Sequence, residues 1–348
     1  WLNQLQQAAR LLPLPLKTRL DQLQLAQSQN YLALQKLIFK PLSNAYQRLP
    51  ALLQTICQQT GKQAQLALPQ QPIWLPARVL DFISDVLIQL LRNAIAHGIE
   101  SPDKRLVAGK PPQGQIRLEQ SLHGMQLALH FYDDGIGLQT EKILAAAGGN
   151  TETAIDKLIF NAGLTTASAP DLLSGRGIGL DLVRQHIQQL QGHISVASSP
   201  DQGCGFHISI PLQQTLQVQQ AVVVADQLYV LQPDSIIEDL PAAELPSRHV
   251  SGRGEFVEYQ QQWLPVWDIR QRFKLAGSSP EQARLLIISE QGQLQVLIVD
   301  KLLPPAEYLL SKVNRHYQPI PAVLALATNG QLQPALWLQW QSIFGKRK

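Results

Sequence analysis

The sequence predicts a multidomain protein: an N-terminal α-helical segment, then an α/β domain, then an all-β domain. Its 348 residues are enough for two to three domains at about 150 residues each. Near the start, leucines recur every three or four residues with Gln and Ser between them, which is a helical period. The middle alternates helix and strand patterns. After about residue 214, short strand patterns follow one another with turns between them, which favours a sandwich or small barrels.

Composition excludes several classes of function. Lys plus Arg number 29 and Asp plus Glu number 26, so the net charge of +3 gives no surface for nucleic acid. The 2 cysteines exclude a disulfide framework and a CxxC metal site, and they are typical of the reducing cytoplasm. No run of 18 apolar residues is present to span a membrane. The chain begins with Trp1 rather than Met, which indicates a piece of a longer protein.

We place the domain boundaries near residues 40 and 213. Residues 1–40 form the helical segment, and the helical pattern continues to about residue 60 with interruptions at prolines. A helix this apolar needs a partner, in the same chain or in a second copy. Residues 41–213 form the α/β domain and residues 214–348 the all-β domain. In the last domain we expect strands at 218–224, 227–231, 255–259, 262–266, 284–288 and 295–299.

The α/β domain contains one strong amphipathic helix, Arg78 to His97, which we expect Gly98 to end as a left-handed C-cap. Residues 135–175, rich in Gly, Thr, Ser and Ala, are long for a connection and therefore predict a functional lid. A second helix is expected at 178–190. The expected strands are 65–68, 73–75, 115–120, 126–132, 193–197 and 205–211.

The first chemical signal is Asn93, near the end of the strong helix in the run LLRNAIAHGIE. A carboxamide oxygen is a neutral hard ligand, suited to a Mg²⁺ ion that already carries phosphate oxygens and water. The alternative is a helical asparagine that only hydrogen-bonds a nearby loop.

The second signal is the run YDDGIG, directly after a strand. Asp133 at a strand end can accept a hydrogen bond from an exocyclic amine such as that of adenine. Gly135 and Gly137 allow a base to approach the backbone closely. The alternative is a common Asp-Gly turn.

The third signal is the run SGRGIGLD, in which Gly175, Gly177 and Gly179 alternate before a helix. Backbone N–H groups at a helix start bind phosphate. The letters SGRG recur at 251–254, but there they precede a strand, so we interpret that copy as a turn. The order of the glycines is not that of a dinucleotide-binding Rossmann domain, and no P-loop motif is present.

Together these three signals resemble the ATP-binding domain shared by gyrase, Hsp90, MutL and the histidine kinases (the Bergerat or GHKL fold), an α/β sandwich with a lid. The phrases LLRNAIAHGIE, GKPPQGQI, YDDGIGL and SGRGIGLDLVRQHIQQL resemble the chemotaxis histidine kinase CheA family. QWLPVWD and LIVDK in the tail resemble that family's regulatory domain, a CheW-like pair of SH3-like barrels. The resemblance covers about residues 35–345.

The resemblance implies ATP and Mg²⁺ as cofactors. It implies that Asn93 ligates Mg²⁺, that Asp133 holds the adenine amine with help from Gly135 and Gly137, and that the glycines at 175, 177 and 179 wrap the phosphates. His97 approaches the phosphates or is structural, and Arg176 meets a phosphate or faces solvent. The implied partners are a phosphotransfer domain in trans or upstream, a CheW-like adaptor, a chemoreceptor, a response regulator and a second copy of the chain. The implied location is the cytoplasm, at membrane-associated receptor arrays.

Three departures from the family's pattern lie near the end of the implied nucleotide site that would hold the triphosphate. Gln89 stands where the family has a histidine, one helical turn before Asn93. A glutamine cannot shuttle a proton as histidine can. The candidate catalytic residues are Gln89, Asn93 and His97, which lie at the positions of the family's motif. Ala96 replaces an aspartate, and the family's lid phrase PGFSTA is NAGLTTA at 161–167. Nucleotide binding is therefore a safer expectation than phosphoryl transfer.

No histidine of the chain has the His-x-x-Lys-Gly context of the family's phosphoacceptor. The expectation is therefore a histidine kinase core that phosphorylates a histidine outside this chain in chemotaxis-type two-component signalling. The alternative is a catalytically degenerate scaffold in a chemosensory array. A gyrase- or MutL-like ATPase is disfavoured because the tail offers no DNA surface.

Overall fold

The structure is a computed structural model. It describes residue 34 and residues 37–139, 159–160, 180–252, 254–277, 282–290, 292–313, 323–330 and 333–338. The chain divides into two compact units, of which one is residues 38–213 and the other contains residues 214–348. We describe each unit by itself.

The first unit is built on a five-stranded sheet with strand order β2-β4-β5-β7-β6. The β2–β4 pair is parallel and the other three pairs are antiparallel. The strands of this unit are β1 (Phe39–Pro41), β2 (Ala64–Ala67), β3 (Trp74–Pro76), β4 (Gly114–His123), β5 (Gln126–Asp133), β6 (His193–Ser199) and β7 (Gly203–Pro211). The helices are α1 (Ser43–Tyr46), α2 (Leu49–Thr60), α3 (Ala77–Asn93), a π-helical turn (Ala94–Gly98), α4 (Pro102–Val107) and α5 (Leu180–Gln189).

One face of the sheet packs against the helices to form the core. Along β5, Leu127, Leu129 and Phe131 are buried while the residues between them are half-buried, as the two-residue period of a strand requires. The apolar side of α3, for example Leu87, and that of α5, for example Val183, belong to the same buried cluster. The expected strands and helices of the α/β domain, including the strong helix, are therefore present.

The start of the first unit differs from the expectation. The leucine spacing predicts helix through about residue 60, but Phe39–Pro41 form strand β1, which pairs antiparallel with β3. Pro41 has no N–H to continue a helix, and Phe39 buries its ring at 1% exposure. The helical segment predicted before this strand lies almost entirely outside the described residues.

The expectation for Gly98 is wrong. Its φ is not in the left-handed region; α3 runs directly into the π turn, which ends at Gly98 before the extended residue Ile99. A wider π turn leaves the backbone here displaced relative to a regular helix, a feature frequent at functional sites. The glycine is needed for close packing instead, as described below.

The second unit contains a five-stranded barrel. Pairing runs from β8 through β17, β18, β19 and β9 and returns to β8, so the described strands close on themselves. The short strand β16 also pairs with β8. These strands are β8 (Gln214–Val224), β9 (Gln227–Leu231), β16 (Lys301–Leu302), β17 (Ala306–Lys312), β18 (Val323–Thr328) and β19 (Pro334–Leu338).

The other strands of the second unit form a six-stranded sheet of order β10-β14-β15-β13-β12-β11, with helix α6 (Ile269–Phe273) after β13. All six strands expected from the sequence are present, but β10, β11, β16, β17, β18 and β19 were not predicted. The strands of the sheet are β10 (Ile236–Pro241), β11 (Ser247–Val250), β12 (Gly254–Tyr259), β13 (Gln262–Asp268), β14 (Arg284–Glu290) and β15 (Gln293–Val299).

Within the described part of the chain, no helix is both long and apolar enough to cross a membrane.

Candidate nucleotide site

Asp133 is the last residue of β5 and is only 7% exposed. It lies between Ile116 of β4 and Cys204 of β7 in the sheet register. Its Oδ1 accepts a hydrogen bond from the backbone N–H of Gly135 at 3.0 Å. The carboxylate is therefore held in one orientation by the turn that follows the strand.

The environment of Asp133 disfavours its charged form. Burial raises its pKa to about 6, with a further contribution from the negative charge of Asp134, while hydrogen bonds from the backbone of Gly135 and Cys204 act in the opposite direction. Burial likewise raises the pKa of the Cys204 thiol to about 12. A buried carboxyl of this kind gains from a ligand that donates a hydrogen bond to it, because a buried polar group costs free energy when it has too few partners.

Gly98 and Gly135 allow two stretches of backbone to touch beside Asp133. A Cβ on Gly135 would lie 2.3 Å from both the carbonyl carbon and oxygen of Gly98, and a Cβ on Gly98 would lie 2.9 Å from Asp133 Oδ1. The N–H of Ile136 donates to the Gly98 oxygen at 3.0 Å. A Cβ on Gly135 would therefore force the end of the π turn away from the loop, and a Cβ on Gly98 would displace the Asp133 carboxyl.

Gly137 supports the same loop from the other side. It has a φ of +76°, and a Cβ there would lie 2.5 Å from the backbone oxygen of Ser199. The next N–H, that of Leu138, donates to Ser198 Oγ at 2.8 Å. Both Gly135 and Gly137 lie against protein backbone in the described residues, and their expected role in the approach of a base stays a prediction.

A buried ion cluster behind the loop was missed by the sequence analysis. Arg105, which is fully buried, donates to Glu100 at 2.9 Å and to Asp134 at 2.7 Å. Lys110 Nζ donates to Glu100 at 2.8 Å and to the backbone oxygens of Asp134 and Gly135 at 2.9 and 2.8 Å. The sequence shows Glu100, Arg105 and Lys110 shortly after the strong helix, but no sequence pattern pairs these charged residues with Asp134.

The cluster favours the charged forms of Glu100 and Arg105. Burial by itself would raise the pKa of Glu100, but the hydrogen bonds from Lys110 and Arg105 outweigh it and hold that pKa below its ordinary value. Two cations therefore face two carboxylates behind the loop, and their side chains and backbone contacts hold the residues on either side of Asp134 in place.

Lys62 also escaped the sequence analysis. Its Nζ donates to the backbone oxygens of Ile95 and Ala96, at 2.5 and 3.0 Å, inside the π turn. A π turn releases carbonyl groups from the helical pattern, and the ammonium group satisfies two of them. Burial lowers the pKa of Lys62, although the charge of Glu100 acts against that shift. Lys62 thus supports the segment that carries Gly98.

The structure places the three candidate catalytic residues at the C-terminal end of α3. Asn93 is the last residue of the helix and is half-buried. Gln89 Nε2 donates to Asn93 Oδ1 at 3.3 Å, close to the upper limit for such a bond. His97 is exposed and lies in the π turn beside Gly98. The π turn therefore links Asn93 to the Gly98 carbonyl that touches the Asp133 loop.

The remaining candidates, Gly175, Arg176, Gly177 and Gly179, lie outside the described residues, as does most of the expected lid. Their proposed contacts with phosphate stay predictions. In the described residues, the arrangement offers one buried acceptor carboxyl, Asp133, and one amide oxygen, that of Asn93, connected by a single short turn.

A cavity of about 520 Å³ borders this region, and Asp133 and Asp134 are among its lining residues. Its lining includes Gln115, Arg117 and Tyr132, which alternate with buried residues and so lie on the sheet face away from the helices. The Asp133 carboxyl instead lies beside Gly98, on the helix side.

Family models match both units of the chain. That of the Histidine kinase-, DNA gyrase B-, and HSP90-like ATPase matches residues 79–214, and that of the CheW-like domain matches residues 221–347. The first match contains Asn93 and Asp133. The first unit therefore has the GHKL kinase-like fold, and the second contains a CheW-like domain.

Curated relatives match most of this chain. The chain is 31% identical to the chemotaxis protein CheA of Rhizobium meliloti, over 87% of this chain and 42% of that protein. It is 31% identical to that of Cereibacter sphaeroides, over 92% of this chain and 49% of that protein. The chain thus spans about half the length of the curated relatives it matches.

Among solved structures, the histidine kinase domain from Erythrobacter litoralis EL346 blue-light activated histidine kinase superposes with a TM-score of 0.32 and 20% identity. The superposition covers 49% of this chain and 61% of that chain, and a score this low does not establish a shared fold. The sequence matches carry the assignment: this is a CheA-like chain, in which a histidine kinase-type ATPase domain precedes a CheW-like domain.

Proposed function

We propose that this chain binds ATP at the end of β5, with Asp133 accepting a hydrogen bond from the exocyclic amine of adenine. The observation that carries the proposal is the buried carboxyl of Asp133, fixed by the Gly135 N–H and bordered by the contact of Gly98 with Gly135. The ATPase family match supports ATP as the ligand. An adenine amine would give this carboxyl the donor that compensates for its burial.

The proposal extends to Mg²⁺ and the phosphates. The amide oxygen of Asn93 fits a Mg²⁺ ion, which favours oxygen ligands and is usually held by a few protein groups together with substrate phosphates. We assign His97, Arg176 and the glycines at 175, 177 and 179 to the phosphate end. When bound, Mg-ATP would supply the transferable phosphoryl group, and this chain's own residues would position it and neutralise its charge.

The second step of the proposal is phosphoryl transfer to a histidine on a phosphotransfer domain outside this chain, for relay to a response regulator. The CheA relatives support a kinase at this general level. We also propose that the second unit, as a CheW-like pair of SH3-like barrels, couples the kinase to an adaptor and chemoreceptors at membrane-associated arrays. The segment before residue 40 would supply dimerisation helices.

One observation favours a second function, that of a catalytically degenerate scaffold in a chemosensory array. Gln89, one turn before Asn93, donates its amide N–H to the Asn93 oxygen. A glutamine there engages one lone pair of the oxygen proposed for Mg²⁺ and has no titratable group for proton transfer. Binding without transfer is the expected result if this contact dominates.

The experiment that separates the two functions supplies γ-labelled Mg-ATP and an isolated CheA-type phosphotransfer domain to the full chain. A kinase produces an acid-labile, base-stable phosphohistidine on that domain, and Gln89→His raises the rate by about 100-fold or more if proton transfer is limiting. The matched control is Gln188→His, which introduces a histidine on the exposed side of α5, away from Asn93, and is expected to leave the rate unchanged. Absence of label in both the wild type and Gln89→His would contradict the kinase.

A further inference from the structure

Two histidines meet on the sheet of the first unit, away from the candidate nucleotide site. His130 of β5 and His207 of β7 are directly opposite each other in the antiparallel register. Their Nδ1 atoms are 2.6 Å apart, and their rings are nearly perpendicular, with an interplanar angle of 79°. The two Nδ1 atoms therefore face each other across the strand pair.

The pair lies on the sheet face away from the helices. His130 alternates with the buried residues Leu129 and Phe131, whose side chains enter the core, and His207 alternates in the same way with Phe206 and Ile208. Both histidines are half-buried, so an ion from solvent can reach them while their neighbours restrict the rings.

We propose that His130 and His207 form a two-nitrogen chelate for a divalent transition-metal ion that prefers tetragonal coordination, Cu²⁺ or Ni²⁺. Neutral imidazole nitrogen suits these ions, and Cu²⁺ binds such sites most tightly of the first-row divalent metals. Two cis nitrogens about 2.0 Å from a tetragonal ion are about 2.8 Å apart, close to the observed separation. A tetrahedral Zn²⁺ site needs about 3.3 Å.

Metal binding at this pair moves one hydrogen. At 2.6 Å, one Nδ1 must carry a hydrogen and donate it to the other. In a pair of neutral rings, that hydrogen passes through solvent to Nε2 of the same ring, so both Nδ1 lone pairs become free for the metal and no net proton is released. Each ring then rotates slightly about its Cβ–Cγ bond to direct its lone pair at the ion.

The neighbouring groups are consistent with a cation on this face. The Tyr132 hydroxyl is 3.3 Å from His130 Nδ1, and Glu119 of β4 is opposite His130 in the register. The charge of Glu119 is shared with Arg117, at 3.3 Å. On the other side, the register places the neutral Ser195 of β6 opposite His207.

Within the described residues there is no group of three or more His, Cys, Asp or Glu side chains that could hold a metal. Water would therefore complete the coordination of an ion at this pair. A two-ligand chelate of this kind is weaker than a closed structural site, which sets the concentration range in which it has to be tested.

The test is titration of the full chain with Cu²⁺, followed by calorimetry and by electron paramagnetic resonance. We expect one site whose spectrum shows two nitrogen ligands, and a loss of affinity of at least about tenfold in His130→Gln and in His207→Gln. His123→Gln and His193→Gln are matched controls, because both residues are exposed at strand ends of the same sheet, and each is expected to change affinity less than about twofold, the spread of a neutral surface change.

Equal affinity losses in the controls, or undiminished binding in the double variant His130→Gln/His207→Gln, would overturn the site. The spectrum of the wild type needs no variant, so the proposal stays testable if a substitution unfolds the sheet. A wild-type spectrum without two equivalent nitrogen ligands would overturn it independently. Zn²⁺ binding as tight as that of Cu²⁺ would contradict the tetragonal geometry.

Discussion

The two ends of the candidate nucleotide site are built differently. At the Asp133 end, the loop is held by glycine contacts that leave no room for a Cβ and by a buried cluster of two cations and two carboxylates. At the Asn93 end, the amide oxygen accepts a long hydrogen bond from Gln89, and His97 is exposed. This difference predicts that the part proposed to recognise adenine is more rigid than the part proposed to hold Mg²⁺.

This difference shows how binding and transfer can be separated in one domain. Recognition of a base needs only a fixed acceptor and close backbone, both of which the Asp133 loop provides. Phosphoryl transfer needs the metal and the phosphates to be positioned accurately, and a misplacement there costs far more in rate than in affinity. In the proposed function, the departures from the family's pattern at Gln89 and Ala96 would therefore bear on the step for which accuracy matters most.

The largest expected effect comes from Arg105→Met. Removing the guanidinium leaves Glu100 and Asp134 with only Lys110 as a cation, and breaking a buried ion pair from one side costs about 3–5 kcal/mol of unfolding free energy. Urea unfolding of the ATPase unit within the full chain, followed by circular dichroism, measures this loss.

The control for that prediction is Arg117→Gln, on strand β4 of the same unit. Arg117 pairs with Glu119 while 65% and 50% of the two side chains are exposed, so the expected loss is within about 0.5 kcal/mol. Similar losses in the two variants would show that the cluster behind Asp133 is no more rigid than a surface pair.

The next effect is the pH dependence of stability caused by Asp133. Its pKa is about 6 in the folded chain against an ordinary value of 3.8, so the folded state prefers the protonated form. Its contribution to stability is fully present below pH 3.8 and is lost as the pH rises through about 6. The wild type loses about 2–3 kcal/mol of unfolding free energy in this way. Asp133→Asn has no carboxyl to titrate at this position, so the loss is absent in the variant.

Urea unfolding of the wild type and Asp133→Asn between about pH 4 and pH 7.5 checks this sign. The difference in unfolding free energy should move in favour of the variant as the pH rises. Asp201→Asn, in the exposed polar turn between β6 and β7, is the control for the loss of a carboxylate as such. A difference that moves toward the wild type would mean that Asp133 is charged at little cost.

The smallest expected effect concerns the π turn, which lies between the Asn93 end and the Asp133 end of the candidate site. Lys62→Met leaves the oxygens of Ile95 and Ala96 without their donor, which costs about 1–3 kcal/mol locally. Hydrogen exchange should become faster in the π turn and at the N–H of Ile136, which donates to Gly98. Lys104→Met, at an exposed position, is the control. If exchange in the π turn became equally fast in this variant, Lys62 would have no special role.

Most helices and strands of the first unit can be predicted from the sequence because their hydrophobic periods are strong. The helix containing Leu87 and the alternation around Phe131 predict a layer of helices on a sheet without reference to distant residues. The second unit was harder: β17, β18 and β19 are stabilised by pairing with distant strands to close a barrel, and short apolar runs do not identify their partners.

For the site, sequence motifs identified Asn93 and Asp133 but not what holds them. The ion pairs of Arg105 and the hydrogen bonds of Lys62 join residues that are brought together only by the fold. Gly98 shows the limit of local rules: a glycine after a helix predicts a left-handed cap, but here its missing Cβ makes room for the Asp133 carboxyl.

The most direct test is calorimetric titration of ATP, with and without Mg²⁺, into the wild type, Asp133→Asn and Asn93→Ala. We predict that Asp133→Asn weakens binding by about 10- to 100-fold whether or not Mg²⁺ is present, as expected for loss of a charged hydrogen bond. Asn93→Ala should keep its Mg²⁺-free affinity and lose the dependence on Mg²⁺. No heat from the wild type at millimolar ATP, or equal losses in both variants under both conditions, would contradict a rigid base-recognition end and a separate metal end.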